Sequence, residues 1–334
     1  MKRITASNFI TDNRTDKVYI SSLIDKPSGD LDKVVRGTLK SCIKQFANSE
    51  ILYNTRDVWA RDYMPIQLTH DIYLSYTYKP DYLHDYPQCV TNWQVHHVHS
   101  QSQYAKGEHF DFKVIQIPLI LDGGNVVKAI VNNKPCFIMC DKVLQENNVN
   151  YNEFQIWWKN WWKDNFDGTE MGIVLLPWEG IKDNPIGHAD GMVRYISEGQ
   201  VLMTNYLDFD KKYGGKYGCH MKEELEKGGF TVYALHFSDK FDCSTDPSFC
   251  ALFDNTWCYI NYLQVGNKIL LPSLGYESLD EEAKRQIDEV FNIETHTTDI
   301  QLIDVSMVAI VDDMGKGYNS GGALNCLTWT IQEN

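Results

Sequence analysis

What this 334-residue chain lacks most plainly is a long apolar run: no window approaches the ~20 apolar residues that a membrane-spanning helix requires. A membrane span is therefore not expected. The opening Met1-Lys2-Arg3 is basic, but polar Thr11-Asp12-Asn13-Arg14 stands where a signal peptide would continue its apolar stretch, so the expected location is the cytoplasm. Basic residues are also short in supply, 31 Lys and Arg against 45 Asp and Glu, for a formal charge of -14. That balance argues against a nucleic-acid partner, which needs clustered cations, and favours a cationic ligand. No Pro/Ser-rich linker or low-complexity tract divides the chain, so residues 1–334 read as one domain. Nine cysteines, an odd number at irregular spacing, read as reduced thiols rather than a disulfide framework.

What is present is an alternation of strand-like and helical patterns, the profile of an α/β protein. Val18-Tyr19-Ile20 precedes a helical pattern from Leu31 to about Phe46, and Ile51-Leu52-Tyr53 resumes extended structure. Helical spacing over Ile156 to Trp162 leads to the strand Ile173 to Leu176. Met221 to Lys227 runs through Gly228-Gly229 into the strand Thr231 to Leu235. Asp280 to Phe291, with acids in its first turn, is the clearest helix, and two apolar runs, Tyr259 to Leu263 and Ile269 to Pro272, precede it. The tract Tyr73 to Gln103 is aromatic, His-rich and poorly periodic, which predicts a long surface excursion near the functional site.

Four segments carry residues of chemical interest. Trp59-Ala60-Arg61-Asp62 sets a carboxylate beside an aromatic ring, an arrangement that grips organic cations, although Arg61 and Asp62 also fit an ordinary surface ion pair. Asp122-Gly123-Gly124-Asn125 places an acid at a strand end that turns through two glycines. Gly187-His188-Ala189-Asp190-Gly191 puts His188 and Asp190 two apart, on one face if the segment is extended. In Gly321-Gly322-Ala323-Leu324-Asn325-Cys326 a cysteine follows two glycines that permit close approach. Taken singly, a cysteine reads as a small buried apolar residue and a His-x-Asp as a structural hydrogen bond. Together, two aspartates, a histidine and a thiol suit attack on a guanidinium, a planar cation that needs fixed negative charge to hold it and a soft nucleophile to open it.

In this order along the chain, with the Tyr259-Ile260-Asn261-Tyr262 strand, these segments resemble the guanidino-group-modifying, or pentein, superfamily. The closest likeness is to the agmatine deiminase and Porphyromonas-type peptidylarginine deiminase family, over about Asp57 to Trp329. The resemblance implies a five-bladed β/α propeller with pseudo-fivefold symmetry and a central polar site. It implies that Asp62 and Asp190 clamp the guanidinium, that Cys326 attacks its carbon, and that His188, oriented by Asp122, moves the protons. Trp59, Asp62, Asp190 and Asn325 are the residues expected to touch substrate. The implied partner is a small cationic guanidino compound, agmatine first, or the arginine side chain of a peptide. A homo-oligomer is compatible with the sequence. An amidinotransferase and a non-catalytic guanidinium-binding module are the remaining alternatives.

Neither cofactor nor metal is expected, because on this resemblance Asp62 and Asp190 supply the charge stabilisation and the nucleophile is a side-chain thiolate. His96-His97-Val98-His99 lacks a second ligand cluster at metal spacing. Cys136 and Cys140, in an apolar run, and Trp157, Trp158, Trp161 and Trp162, at helical spacing, read as core. Three departures from the family pattern stand out. Asp122 replaces the usual Glu and is one methylene shorter, Asn325 replaces a common His, and the acidic, tryptophan-rich opening of agmatine deiminases is missing.

Overall fold

The computed structural model describes residues 1–25, 30–85, 87–91, 113–178, 187–294, 299–306 and 322–333. Fifteen strands among them form five three-stranded sheets. The first sheet joins β1 (Lys17–Ser21) and β2 (Ser49–Leu52) to the last strand of the chain, β15 (Thr328–Ile331). The others are consecutive: β3 (Ile66–Thr69), β4 (Ile72–Thr77) and β5 (Lys113–Ile120); β6 (Val127–Val131), β7 (Lys134–Cys140) and β8 (Gly172–Leu176); β9 (Val193–Ser197), β10 (Gln200–Met203) and β11 (Thr231–Ala234); β12 (Leu263–Val265), β13 (Lys268–Ser273) and β14 (Asp299–Ser306).

All five sheets share one plan. The first strand pairs antiparallel with the second, and the second pairs parallel with the third. A hairpin suffices for the first step; the parallel step needs a crossover, which the helices supply. Asp30–Phe46 crosses between β1 and β2, Tyr151–Asn165 between β7 and β8, Tyr206–Tyr213 and Tyr217–Lys227 between β10 and β11, and Glu277–Glu294 between β13 and β14. Sequence chemistry sets the hairpins as well: Asn132 and Asn133, at φ 50° and 57°, form the two-residue turn from β6 to β7, where asparagine tolerates the left-handed conformation. β15 takes the first-strand place in the first sheet, with Lys17 opposite Ile331 and Ile20 opposite Thr328, so the chain's end closes the ring at its beginning. The expected five-bladed propeller is the fold observed.

The core lies between the sheets and their crossover helices. Trp158 and Trp162 are buried on the helix Tyr151–Asn165, with ring centroids 5.7 Å from that of Phe137 on β7, and Cys136 and Cys140 are buried beside them. The packing reading of these residues holds. Trp158→Ala should cost about 3–5 kcal/mol, because it leaves a large cavity and strands the Met171 carbonyl that accepts from Trp158 Nε1 at 2.9 Å. Chemical denaturation would read the loss as a lower midpoint.

Two expectations fail locally. Tyr259 to Tyr262 is not a strand: Phe253–Ile260 winds as a 3-10 helix and β12 begins only at Leu263, because the buried Asn261 is spent on side-chain bonds to another blade. The excursion predicted from Tyr73 starts later, since Tyr73 to Thr77 belong to β4, whose alternation is masked by aromatic residues facing both sides. Residues 92–112, with the His96-His97-His99 cluster, lie outside the described residues.

Candidate active site

The first strand of every blade is preceded by a short helical turn, and these five turns hold the chemistry. Ala60–Tyr63 precedes β3, Gly123–Asn125 precedes β6, Ala189–Gly191 precedes β9, Phe253–Ile260 precedes β12, and Leu324–Leu327 precedes β15. Asp62, Asp122, His188 with Asp190, Asn261, and Cys326 thus come from equivalent places in five blades.

Each turn is fixed by local chemistry. Asp122 is the extended residue at φ -109° after β5, and Asn125 ties its turn to β7, donating Nδ2 to the Cys140 carbonyl at 3.2 Å and accepting from Cys140 N at 2.6 Å. His188 follows Gly187, whose φ of +59° suits glycine. Asp190 lies in a 3-10 turn, so the one-face geometry expected of an extended His188-x-Asp190 is not what brings the two residues into one site. Asp62 sits in a helical turn beside Arg61. Both are buried, so the surface-pair reading is excluded. Gly322 accommodates Trp59, whose ring would come within 2.2 Å of an added Cβ. Gly321 lies outside the described residues.

The side chains converge. His188 Nε2 stands 2.9 Å from Asp122 Oδ2, so the shorter acid reaches the imidazole without difficulty. His188 Nδ1 faces Asp62 Oδ1 at 3.6 Å, an ion-pair distance beyond hydrogen bonding. The Cys326 thiol points at Asp190 Oδ2, 3.4 Å away, and Asn325 Nδ2 donates to the same oxygen at 2.6 Å. Asp62, Asp122, His188, Asp190, Asn325 and Cys326 are all buried. In this cluster Asp62 Oδ1, Asp122 Oδ1 and Asp190 Oδ1 have no hydrogen-bond partner among the described residues. Buried acceptors left open are costly, and at a site they mark where a donor-rich ligand is received.

Electrostatics follow from three carboxylates sharing one dry space. Burial, then the charges of Asp122, Asp190 and Asp57, push Asp62 up to about 8 against the opposing pull of His188. For His188 burial alone works downward, but the Asp62 charge, the bond to Asp122 and the Asp122 and Asp190 charges together raise it to about 9, which favours the imidazolium. Burial and the Asp190 and Asp62 charges drive the Cys326 thiol well above its ordinary range. The thiol is therefore protonated until a cation offsets those charges.

The model of the Porphyromonas-type peptidyl-arginine deiminase family matches residues 26–331. The chain belongs to that family. A Legionella pneumophila protein provisionally named an agmatine deiminase is 22% identical over 231 residues, which make up 68% of this chain but only 58% of the relative. C. jejuni agmatine deiminase has the same fold, with a TM-score of 0.65 at 15% identity over 98% of this chain and 96% of its own. The agmatine deiminase of Enterococcus faecalis superposes with a TM-score of 0.63 at 15% identity over 99% of both chains.

Within this family fold, five sequence-predicted residues, Asp62, Asp122, His188, Asp190 and Cys326, come together with Asn325. Trp59 lies against the Cys326 segment through Gly322. Two residues with direct contacts in the site were missed. Asn261 Oδ1 accepts from the backbone N–H groups of Ala323 and Cys326 at 3.2 and 3.3 Å, and its Nδ2 donates to the Asp190 carbonyl at 3.2 Å. Its one signal was a lone amide inside an apolar run. Tyr82 donates to Asp62 Oδ2 at 3.4 Å and sets its ring edge-on to His188, with centroids 5.9 Å apart; its one sign was its place in the aromatic tract from Tyr73, which singled out no residue.

Gly124 offers a direct test of this packing. A Cβ there would stand 2.5 Å from Asp62 Oδ1 and 2.6 Å from His188 Nδ1, so Gly124→Ala must move both groups. Misplacing reacting groups by this much costs about 100-fold. We expect that loss in kcat with little change in thermal stability, because the displaced atoms are side-chain ends.

Proposed function

We propose that the protein is a cytoplasmic, cysteine-dependent deiminase, a single domain over residues 1–334, that hydrolyses a guanidinium group to a ureido group and releases ammonia. Agmatine, giving N-carbamoylputrescine, is its first substrate. The observation that carries this reading is a cluster of open buried carboxylate oxygens beside a thiol and an imidazole: Asp62 Oδ1 and Asp190 Oδ1, assigned to the clamp, and Asp122 Oδ1 on the acid that holds His188. All nine cysteines are free thiols, which suits a reducing compartment.

The steps follow from charge. Guanidinium N–H groups donate to the two clamp oxygens, and the bound cation offsets the charges that hold the Cys326 proton. The thiol gives up its proton to solvent as the cation docks, and the thiolate attacks the central carbon. His188 gives its proton to the departing ammonia, leaving a thiouronium on Cys326. The neutral imidazole then takes a proton from water, which adds to the same carbon and expels the thiolate; the hydroxyl proton left on the product passes to sulfur, restoring thiol and imidazolium. Asp122 supports the imidazolium that each half-reaction needs. Asn261 holds the cysteine turn while the sulfur changes bonding partner.

The charges also set the pH profile. Below about 8, Asp62 takes up a proton and the clamp loses half its charge; above about 9, His188 loses the proton that ammonia requires. The profile of kcat/KM should be a narrow bell with its maximum between these values, falling about tenfold per pH unit on each side. In Asp62→Asn the acidic limb should vanish.

An ammonia-release screen over agmatine, free arginine, blocked arginine and arginine peptides tests the activity and orders the substrates. Agmatine should lead, since an acidic protein favours a second cationic group. Peptidyl-arginine is the second reading, favoured by the family whose model matches, and higher efficiency on arginine peptides would establish it.

A further inference from the structure

Arg61 stands beside Asp62 in sequence but faces away from it. Its Nη2 donates to Asn325 Oδ1 at 3.0 Å and to Thr330 Oγ1 at 3.2 Å, and its Nε donates to the Asn325 carbonyl at 3.3 Å. A guanidinium has donors only. The oxygen end of the Asn325 amide must therefore face Arg61, which turns the NH2 end toward Asp190 Oδ2, at 2.6 Å. The reversed amide would set its oxygen against a buried carboxylate, with like partial charges in contact. One oxygen of Asp190 is thereby occupied and the other, Oδ1, is left open. Arg61 itself is buried, and its charge acts on the Asp12 carboxylate as well as on the Asn325 amide. Its charge thus bears on Asn325 at short range, where a buried cation polarises the amide and strengthens the bond that the amide donates.

We propose that Arg61 is a positioning residue for the reaction, acting through Asn325: it fixes the amide that selects which oxygen of Asp190 receives the guanidinium and keeps the other next to Cys326. Asp62 and Arg61 then serve the two ends of one clamp, the first by contact with the cation and the second through the amide of a distant turn. The role rests on the guanidinium-clamping reading of Asp190. It explains why Asn325 functions here without the titratable ring of histidine: a donor held in one orientation is what Asp190 needs.

The test is a double-mutant cycle read by thiol alkylation, which does not depend on turnover. Chloroacetamidine, a cation, and chloroacetamide, its neutral counterpart, are compared as reagents for Cys326, with peptide mass mapping to identify the labelled cysteine. In the wild type the cation should be much the faster. Asn325→Ala should lower that preference by about 10- to 100-fold, the worth of a hydrogen bond to a charged group. Arg61→Met should lower it by a similar factor, and the double variant should fall no further than Asn325→Ala alone. Arg61→Lys, which keeps a donor for Oδ1, should recover most of the preference. Thermal unfolding of each variant is recorded beside it, because a merely structural arginine would shift the midpoint and leave the reagent ratio alone. If Arg61→Met does not fold, Arg61→Lys and Arg61→Gln complete the same cycle. Additive losses, or an unchanged ratio at folded Arg61 variants, would overturn the role of Arg61. A wild-type protein with no preference for the cation removes the clamp itself, a separate outcome.

Discussion

Cys326→Ser should lower ammonia release by at least about 10⁴-fold while the protein still binds guanidino compounds. The serine hydroxyl takes the place of a thiol that is buried and 3.4 Å from Asp190, and neither open oxygen of the clamp is altered. A cation that activates a thiol cannot do the same for a hydroxyl, whose proton is held far more tightly. Calorimetric titration of the variant with agmatine would show binding retained. Turnover near the wild-type rate would remove Cys326 from the mechanism.

Asp190→Asn should act on binding and chemistry together. Loss of one buried charge from a charge-assisted contact with the substrate is worth about 2–4 kcal/mol, so KM rises and kcat falls. The same substitution has a consequence of opposite sign in the free protein. Asp190 is the leading charge among those that raise the Cys326 thiol, after burial, so its removal lets the thiol ionise more readily. Alkylation of Cys326 by a neutral reagent should then speed up at fixed pH while turnover drops. Slower alkylation together with slower turnover would mean that Asp190 serves the cysteine turn mainly as a structural anchor.

Much of the site was legible because its chemistry is carried by rare residue types beside glycines. Gly322 read as a point of close approach and Gly123-Gly124 as a turn, and each proves to touch a neighbouring blade: Gly322 lies against Trp59, Gly123 against Arg61, and Gly124 against Asp62 and His188. Helix patterns of useful length, such as 280 to 291, were readable from spacing alone, and all of that segment falls within Glu277–Glu294. Closure was not readable in this way. Pairing of Lys17 with Ile331 joins residues at opposite ends of the chain, and a periodicity of two or 3.6 carries no information on such partners; only the family resemblance implied it. The short turns escaped for a related reason. Four residues such as Ala60–Tyr63 give too little length for a helical pattern, so Asp62 and Asp190 read as strand-end residues. Tyr82 and Asn261 were missed because their roles come from tertiary contact. A tyrosine or an asparagine in an aromatic stretch has no local mark of a partner in another blade, His188 for the first and the Cys326 turn for the second.

The asymmetry of the clamp also bears on selectivity. Asp62 is paired with an imidazolium and a tyrosine hydroxyl, Asp190 with an amide and a thiol, so the two open oxygens differ in their surroundings. A guanidinium presents the same N–H donors from several edges, and this difference gives the site one preferred way to seat it. On the proposed mechanism, the edge toward His188 is expected to carry the nitrogen that leaves.

The most direct test of the central claim is a crystal structure of the Cys326→Ser protein with agmatine bound. The guanidinium carbon should lie within about 3.5 Å of the serine oxygen, a near-attack distance, with its N–H groups donating to Asp62 Oδ1 and Asp190 Oδ1 and one nitrogen facing His188. A guanidinium seated out of reach of both carboxylates, or one whose carbon faces away from residue 326, would contradict it.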